Sequence, residues 1–317
     1  MRFLLVTGGL GYLGAQLVVE FMRASHIPVI LDEFGDVQVK HLGIIKDLTG
    51  FNPVVFQGSL LNKRLLNRIF SEFQIDSVYH LGLKGHDDAY LQPYGIITNN
   101  VSGTKCLLDS MQRFGINNLI HVTPRRDYLE IRTESELPKS INPYVQSNLL
   151  IDKLVTEWGH LHENNYTTLK LYKPMGFTHQ GAFIDTSYES TGDSFYSLCN
   201  LMLNKAIEPH FVNYKELTRD YVHVSDILRV MIKALLETEK GKSGTYNVGR
   251  GIGVTPKDLS DMYQEISNME LVKTPLFDNN LGQSHFVSSD GLPFELEAEF
   301  FIRDALEEAL RWYPVCG

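Results

Sequence analysis

The sequence predicts an α/β protein: a doubly wound parallel sheet with a smaller C-terminal α/β domain. Three observations carry this. Short apolar runs alternate with helix-like stretches from Arg2 to about residue 175, the pattern of a parallel sheet covered on both faces. A turn with spaced glycines joins the first apolar run to the first amphipathic stretch. The length, 317 residues at 43 % hydrophobic content, is enough for one large domain with a smaller appendage.

In chain order the expected strands are Phe3–Thr7, Pro28–Leu31, Val54–Gln57, Ser77–Leu81, Asn118–Thr123 and Thr167–Tyr172, each a short apolar run. The helices between them include Leu13–Arg23, Lys63–Phe73, Val101–Phe114 and Tyr144–His162. The last of these carries Val145, Leu149, Ile151, Leu154, Val155 and Trp158 at helical spacing. After Pro174 the alternation fades into Thr178–Ser194, a Gly-, Ser-, Thr- and Asp-containing loop at the domain junction, of a length that often lines a site. Beyond it come a helix (Phe195–Lys205), the segment RDYVHVSD, a helix (Asp226–Glu239), the strand-like GTYNVG and two helical stretches ending at Trp312. The expected division is therefore a dinucleotide-binding domain over 1–175, to which part of the chain after residue 206 returns, and a mainly substrate-binding domain over 176–317.

A formal net charge of -9 repels a phosphate backbone, so nucleic acid is not an expected partner, a local patch such as Arg125-Arg126 aside. Cys106, Cys199 and Cys316 are odd in number and without CxxC spacing, which suggests neither a disulfide framework nor a metal site and fits a reducing, cytoplasmic setting. The apolar run Phe3–Val6 is far shorter than a signal core or a membrane span and leads straight into glycines, so no membrane association is expected.

The turn reads Thr7-Gly8-Gly9-Leu10-Gly11-Tyr12-Leu13-Gly14. Gly8 allows a tight turn, Gly11 lets a pyrophosphate approach the backbone, and Gly14 lets helix and strand pack closely. The helix N-terminus beginning at Tyr12 and Leu13 then offers N–H groups and positive dipole to phosphates. Asp32 ends the second apolar strand, where an acid accepts from both ribose hydroxyls. Asp32 and Glu33 repel a 2′-phosphate, which selects NAD over NADP. These features define a Rossmann dinucleotide site.

Together with ILDEF at 30–34, HLGLK at 80–84, NNVSGT at 99–104, PYVQS at 143–147, RDYVHVSD at 219–226 and YNVGRG at 246–251, the turn resembles the extended short-chain dehydrogenase/reductase family. Within it the resemblance is to the UDP-galactose 4-epimerase and NDP-sugar dehydratase group, over nearly the whole chain. It implies a nucleotide-diphospho-sugar held between the two domains. It also implies a homodimer paired through Val101–Phe114 and Tyr144–His162.

Measured against that group, the residues that do chemistry depart from the pattern. The group's Tyr-x-x-x-Lys pair places both side chains on one helical face, and the lysine lowers the tyrosine pKa for proton transfer while hydride passes to the nicotinamide. Here the pair is Tyr144 and Asn148. Asparagine can bond a ribose hydroxyl but carries no charge, so Tyr144 is expected to stay near its unperturbed value of about 10. The group's Ser or Thr at the end of the fifth strand falls on Pro124. Thr123 is one residue away, on a strand where a one-residue slip reverses side-chain direction. Tyr166 and Lys170 repeat the spacing within a predicted strand, about 13 Å apart, and are rejected.

Where the group has Gly-Asp at the cofactor's adenine, this chain has Gly58-Ser59, so that Ser59 and the following Leu60 are the expected adenine contacts, while Lys84 and Asn99 fall in matched motifs, Asn99 being equally suited to cap a helix. For the sugar nucleotide, Arg219 matches the diphosphate-facing arginine or else bridges a neighbouring acid. Lys173 replaces an asparagine, and DNNLGQSH lacks the C-terminal arginine. His80, His121 and His223 lie in or beside strands, as packed or hydrogen-bonded residues. Two readings follow: a catalytically degenerate member that keeps NAD and serves as a sensor, scaffold or assembly subunit, and an active enzyme with reassigned proton chemistry, through Tyr144 with Thr123 or a residue of the 178–194 loop.

Overall fold

The computed structural model describes residues 1–84, 93–124, 143–183, 195, 199, 202–203, 207–211, 218–276 and 298–316. They divide into two compact units. The first comprises described residues of Met1–Thr123, Lys139–Leu169 and Met231–Tyr246, and the second those of Pro124–Pro138, Lys170–Val230 and Asn247–Gly317.

The first unit is built on a sheet whose strands are β1 (Phe3–Thr7), β2 (Ile27–Asp32), β3 (Val54–Gln57), β4 (Ile75–His80), β5 (Asn118–Pro124), β6 (Asn165–Leu171) and β10 (Gly244–Val248), in the order β10-β6-β5-β4-β1-β2-β3. Strands β3, β2, β1, β4 and β5 run parallel. The register sets Thr7 opposite both Leu31 and His80, so β1, β2 and β4 end level. Loops leaving these three strands therefore emerge together, at the carboxyl edge where open α/β sheets bind ligands.

Connecting these strands are α1 (Tyr12–Arg23), α2 (Asp36–Thr49), α3 (Lys63–Glu72), α4 (Pro93–Ile97), α5 (Gly103–Phe114) and α6 (Pro143–His162). Leu66, Ile69, Leu107, Met111, Ile151 and Val155 of α3, α5 and α6 close over Leu5, Val78 and Leu119 of the sheet. Each such side chain contributes about 1.5–3 kcal/mol by leaving water. The helix α7 (Val224–Glu239) is tied to β4, to the residue before β1 and to β6: the Tyr79 hydroxyl donates to the Met231 carbonyl (3.1 Å), Arg2 pairs with Glu239 (2.6 Å), and the Thr167 and Thr238 hydroxyls bond at 2.5 Å.

Two elements differ from expectation. The helix α2 is absent from the sequence reading, because it buries only His41 and Ile45 and starts after Gly35, giving neither apolar periodicity nor a capping side chain. Upstream of α5 the helical run begins at Pro93 and passes through a π-helical turn, Thr98–Ser102. Asn99 thus lies inside a continuous run and does not cap it, which corrects that alternative. The strand containing Tyr166 and Lys170 is β6, as the spacing argument requires.

The second unit contains β7 (Lys173–Met175), β9 (Arg219–His223) and β11 (Gly253–Val254) in one sheet, β8 (Ile207–Phe211) paired with β12 (Val272–Leu276), and helices α8 (Pro256–Ser267) and α9 (Ile302–Cys316). His223 is buried; Ser225 N–H donates to its Nδ1 (3.2 Å), so its Nε2–H donates to Glu308 (2.9 Å), which also accepts from Phe177 N–H (2.8 Å). The Asp220 carboxylate gathers the N–H groups of Arg250 and Gly251. The 184–194 part of the expected loop, most of Phe195–Lys205, Arg125-Arg126 and DNNLGQSH lie outside the described residues.

Candidate functional site

A cleft of about 380 Å³ opens at the level ends of β1, β2 and β4. It gathers Gly8, Gly11, Asp32, Leu60, Lys84 and Asn99 from five separate motifs. Gly8 has φ +69, and a Cβ there would lie 2.7 Å from the Gly82 backbone. A Cβ on Gly14 would lie 2.2 Å from the Gly8 carbonyl oxygen, so the approach of α1 to the turn requires glycine. Gly11 differs: its φ of -71 is ordinary, its Cβ would meet only Gly8 O at 3.3 Å, and it faces the cleft. It forms the N-cap of α1 with no capping side chain, and Tyr12 and Leu13 follow as the first helical residues. The positive end of α1 is thus presented through backbone alone, which suits an anion.

Asp32 closes β2 at the cleft, and its Oδ2 accepts from Leu10 N–H (2.8 Å). Burial pushes its carboxyl up to about 6, against the opposing pull of the Leu10 and Glu33 N–H groups. An acid with a raised folded-state pKa binds its proton more tightly folded than unfolded. Its contribution is favourable below about pH 4 and is lost as pH rises through about 6. Asp32→Asn, which keeps an acceptor for Leu10, is therefore expected to stabilise the ligand-free protein at about pH 8, by on the order of 2 kcal/mol and with a corresponding rise in Tm, and to change it little at about pH 4. Thermal denaturation at the two pH values checks this; an equal effect at both would remove the burial argument.

The cleft floor rests on a directed chain of hydrogen bonds. Gly82 N–H donates to the Thr7 hydroxyl (3.2 Å), which donates to His80 Nδ1 (2.7 Å). His80 Nε2–H then donates to the Thr104 hydroxyl (2.9 Å), which donates to the Asn100 carbonyl (2.7 Å). Burial, reinforced by His121 beside it, pushes the His80 imidazole well below its ordinary range and keeps it neutral. His121 donates from Nδ1 to the His80 carbonyl (3.3 Å). The buried Asn100 accepts from Lys84 N–H (2.8 Å), donates to Lys84 O (3.1 Å) and reaches Ser147 on α6 (3.4 Å). Sequence reasoning selected its neighbour Asn99 and gave no sign of this joint. At the rim, Lys84 pairs with Glu33 (3.6 Å).

Ser59 turns from the cleft in a local bond: its hydroxyl accepts from Leu61 N–H (3.4 Å), and the lining residues on either side are Gly58 and Leu60. Tyr144 and Asn148 lie one turn apart on α6, both buried. Tyr144 packs against Ile96, and the Asn148 Oδ1 has no hydrogen-bond partner among the described residues. Thr123 is fully buried near the end of β5, where Pro124 closes the strand; its hydroxyl bonds neither Tyr144 nor any other described residue. Lys173 and Arg219, in the second unit, open the neighbouring strands β7 and β9, with Lys173 opposite Tyr221.

A model of the NAD dependent epimerase/dehydratase family matches residues 4–249. The chain belongs to that family. Relatives of this family member include the UDP-glucose 4-epimerases of Pasteurella multocida, 26 % identical over 97 % of this chain and 95 % of that one, and of Haemophilus influenzae, 26 % identical over 84 % and 83 %. In fold it is similar to the UDP-glucose-4-epimerase of Stenotrophomonas maltophila solved with NAD and formylated UDP-arabinopyranose. The TM-score is 0.85 at 20 % identity, covering 100 % of this chain and 99 % of that one.

Proposed function

We propose that this family member binds NAD in the cleft of its first unit and recognises a nucleotide-diphospho-sugar without turning it over, serving as a ligand-responsive sensor, scaffold or assembly subunit. The fit to NAD rests on the glycine cradle, the backbone-only N-terminus of α1 and Asp32 at the end of β2. Leu60, Lys84 and Asn99, which line the cleft, complete the cofactor contacts, with Asn148 offered to a ribose hydroxyl, and Lys173 and Arg219 supply charge to the diphosphate; Ser59, whose hydroxyl is engaged by Leu61 N–H, and Tyr144, packed on Ile96, are not among them. NAD, when bound, provides a hydride acceptor. The exposed Leu149 and Leu150 of α6 support a homodimer paired through α5 and α6. The free thiols of Cys106 and Cys199 support a cytoplasmic setting.

The observation that carries the silent reading is Asn148, a neutral side chain one turn after Tyr144, with Pro124 ending β5. Neither supplies the charge or the proton that tyrosinate chemistry needs. A second reading, an active epimerase or dehydratase with reassigned acid and base, is favoured by the Thr123 hydroxyl, which has no partner among the described residues, and by relatives named as epimerases. Adding UDP-sugars to the NAD-loaded protein and following nicotinamide absorbance separates the two. Transient reduction supports the active reading, and a flat trace with measurable sugar-nucleotide binding supports the silent one.

Cofactor choice is tested by thermal shift. NAD or NADH at about 100 times Kd is expected to stabilise by about 2.7 kcal/mol, a rise of several degrees in Tm. NADPH is expected to do much less, because its 2′-phosphate meets Asp32 and Glu33. Equal stabilisation by NADPH would remove the role given to Asp32.

A further inference from the structure

We propose that His41 is a positioning residue of the dinucleotide site, holding the Leu10–Gly11 peptide in the conformation that receives the pyrophosphate. The inference rests on the NAD reading above and adds a residue outside the glycine turn and outside the other motifs named in the sequence analysis.

Leu10 is fully buried in the turn. Its N–H donates to Asp32 Oδ2 at 2.8 Å, and its carbonyl accepts from His41 Nδ1 at 2.8 Å. The following N–H, that of Gly11, donates to Gly8 O at 3.1 Å. Two side chains from separate elements, the end of β2 and the middle of α2, thus fix the polar groups on both sides of the Leu10 Cα. A turn rich in glycine has little conformational preference of its own, so outside anchors decide its shape. The Leu10 carbonyl oxygen carries partial negative charge beside the residue whose backbone meets an anion. Committing that oxygen to His41 keeps it from turning toward a phosphate.

A packing role alone does not account for the residue. Only His41 and Ile45 of α2 are buried, and an apolar residue would fill space at position 41 without the cost of burying an imidazole. Since a carbonyl only accepts, His41 must carry its proton on Nδ1.

The test is NAD and adenosine affinity by calorimetry, well below each Tm, for the unmodified chain, His41→Phe, His41→Asn and His41→Gln. His41→Phe keeps the ring and removes the donor; it is expected to weaken NAD about tenfold, the weight of one lost hydrogen bond, and to leave adenosine unchanged. Asparagine, whose amide nitrogen stands where Nδ1 stood, is expected to restore most of the loss, and glutamine, which reaches the Nε2 position, is not. Equal NAD affinity of His41→Phe and the unmodified chain would overturn the proposal, as would a parallel loss for adenosine or equal behaviour of the Asn and Gln variants. If the Phe variant does not fold, ¹⁵N NMR of the unmodified protein decides: an Nδ1–H imidazole is expected, and an Nε2–H tautomer overturns the clamp. Failure of the unmodified chain to bind NAD, with the Nδ1–H signature present, would instead overturn the cofactor reading.

Discussion

Gly11→Leu is expected to weaken NAD binding by about 100-fold or more while the protein keeps its fold, the loss of several charge-assisted contacts to pyrophosphate. The backbone at Gly11 accepts any L-residue, and the nearest obstacle to a Cβ is 3.3 Å away, so the new side chain projects into the cleft. Gly14→Ala is expected to fail differently. Its Cβ would lie 2.2 Å from a backbone oxygen that has no rotamer to adopt, so stability is lost first, by about 1–3 kcal/mol. Calorimetry with NAD and thermal denaturation of the two variants together read the contrast. Retention of NAD by Gly11→Leu would sink the cradle assignment, and an unchanged Tm for Gly14→Ala would sink the close approach of α1.

The second large effect concerns proton transfer. The unmodified protein is expected to show no epimerase or dehydratase turnover with common UDP- and dTDP-sugars, because positioned acid–base groups are worth about 10²–10⁴ in rate. Tyr144→Phe is expected to leave its biological activity intact. Restoring the family pair with Asn148→Lys places a cation one helical turn from Tyr144 and is expected to lower the tyrosine pKa by favouring the phenolate. Phenolate absorbance against a Tyr144→Phe control measures the shift. Turnover need not return, since Pro124 at the end of β5 has no proton to give. Robust epimerisation by the unmodified chain, abolished by Tyr144→Phe, would leave the reassigned enzyme as the standing account.

Much of the sheet was legible because its strands are buried on both faces and read as unbroken apolar runs, as in Leu4, Leu5 and Val6. The cofactor turn was legible because each of its glycines answers a separate geometric demand. What escaped lies where the signal is tertiary. The helix α2 turns only two side chains inward, so no period announces it. His41 and Leu10 are 31 residues apart, and nothing in either neighbourhood points to the other. Asn99 and Asn100 are adjacent and chemically identical. Only the π-helical turn decides that Asn100 meets Lys84 and Ser147.

The late return of α7 and β10 to the first sheet bears on how the chain matures. In order of synthesis, β6 is complete well before Met231 and Gly244 leave the ribosome. Until they arrive, β6 is an open edge, and Tyr79, Thr167 and Arg2 wait for Met231, Thr238 and Glu239. A nascent chain, or a fragment cut near residue 175, therefore presents an unpaired strand and an uncovered sheet face, both invitations to aggregate. The nucleotide-binding half becomes a finished structure only after the whole Lys170–Val230 segment has been made. Completion of the sheet that carries the cleft thus waits for translation as far as Val248.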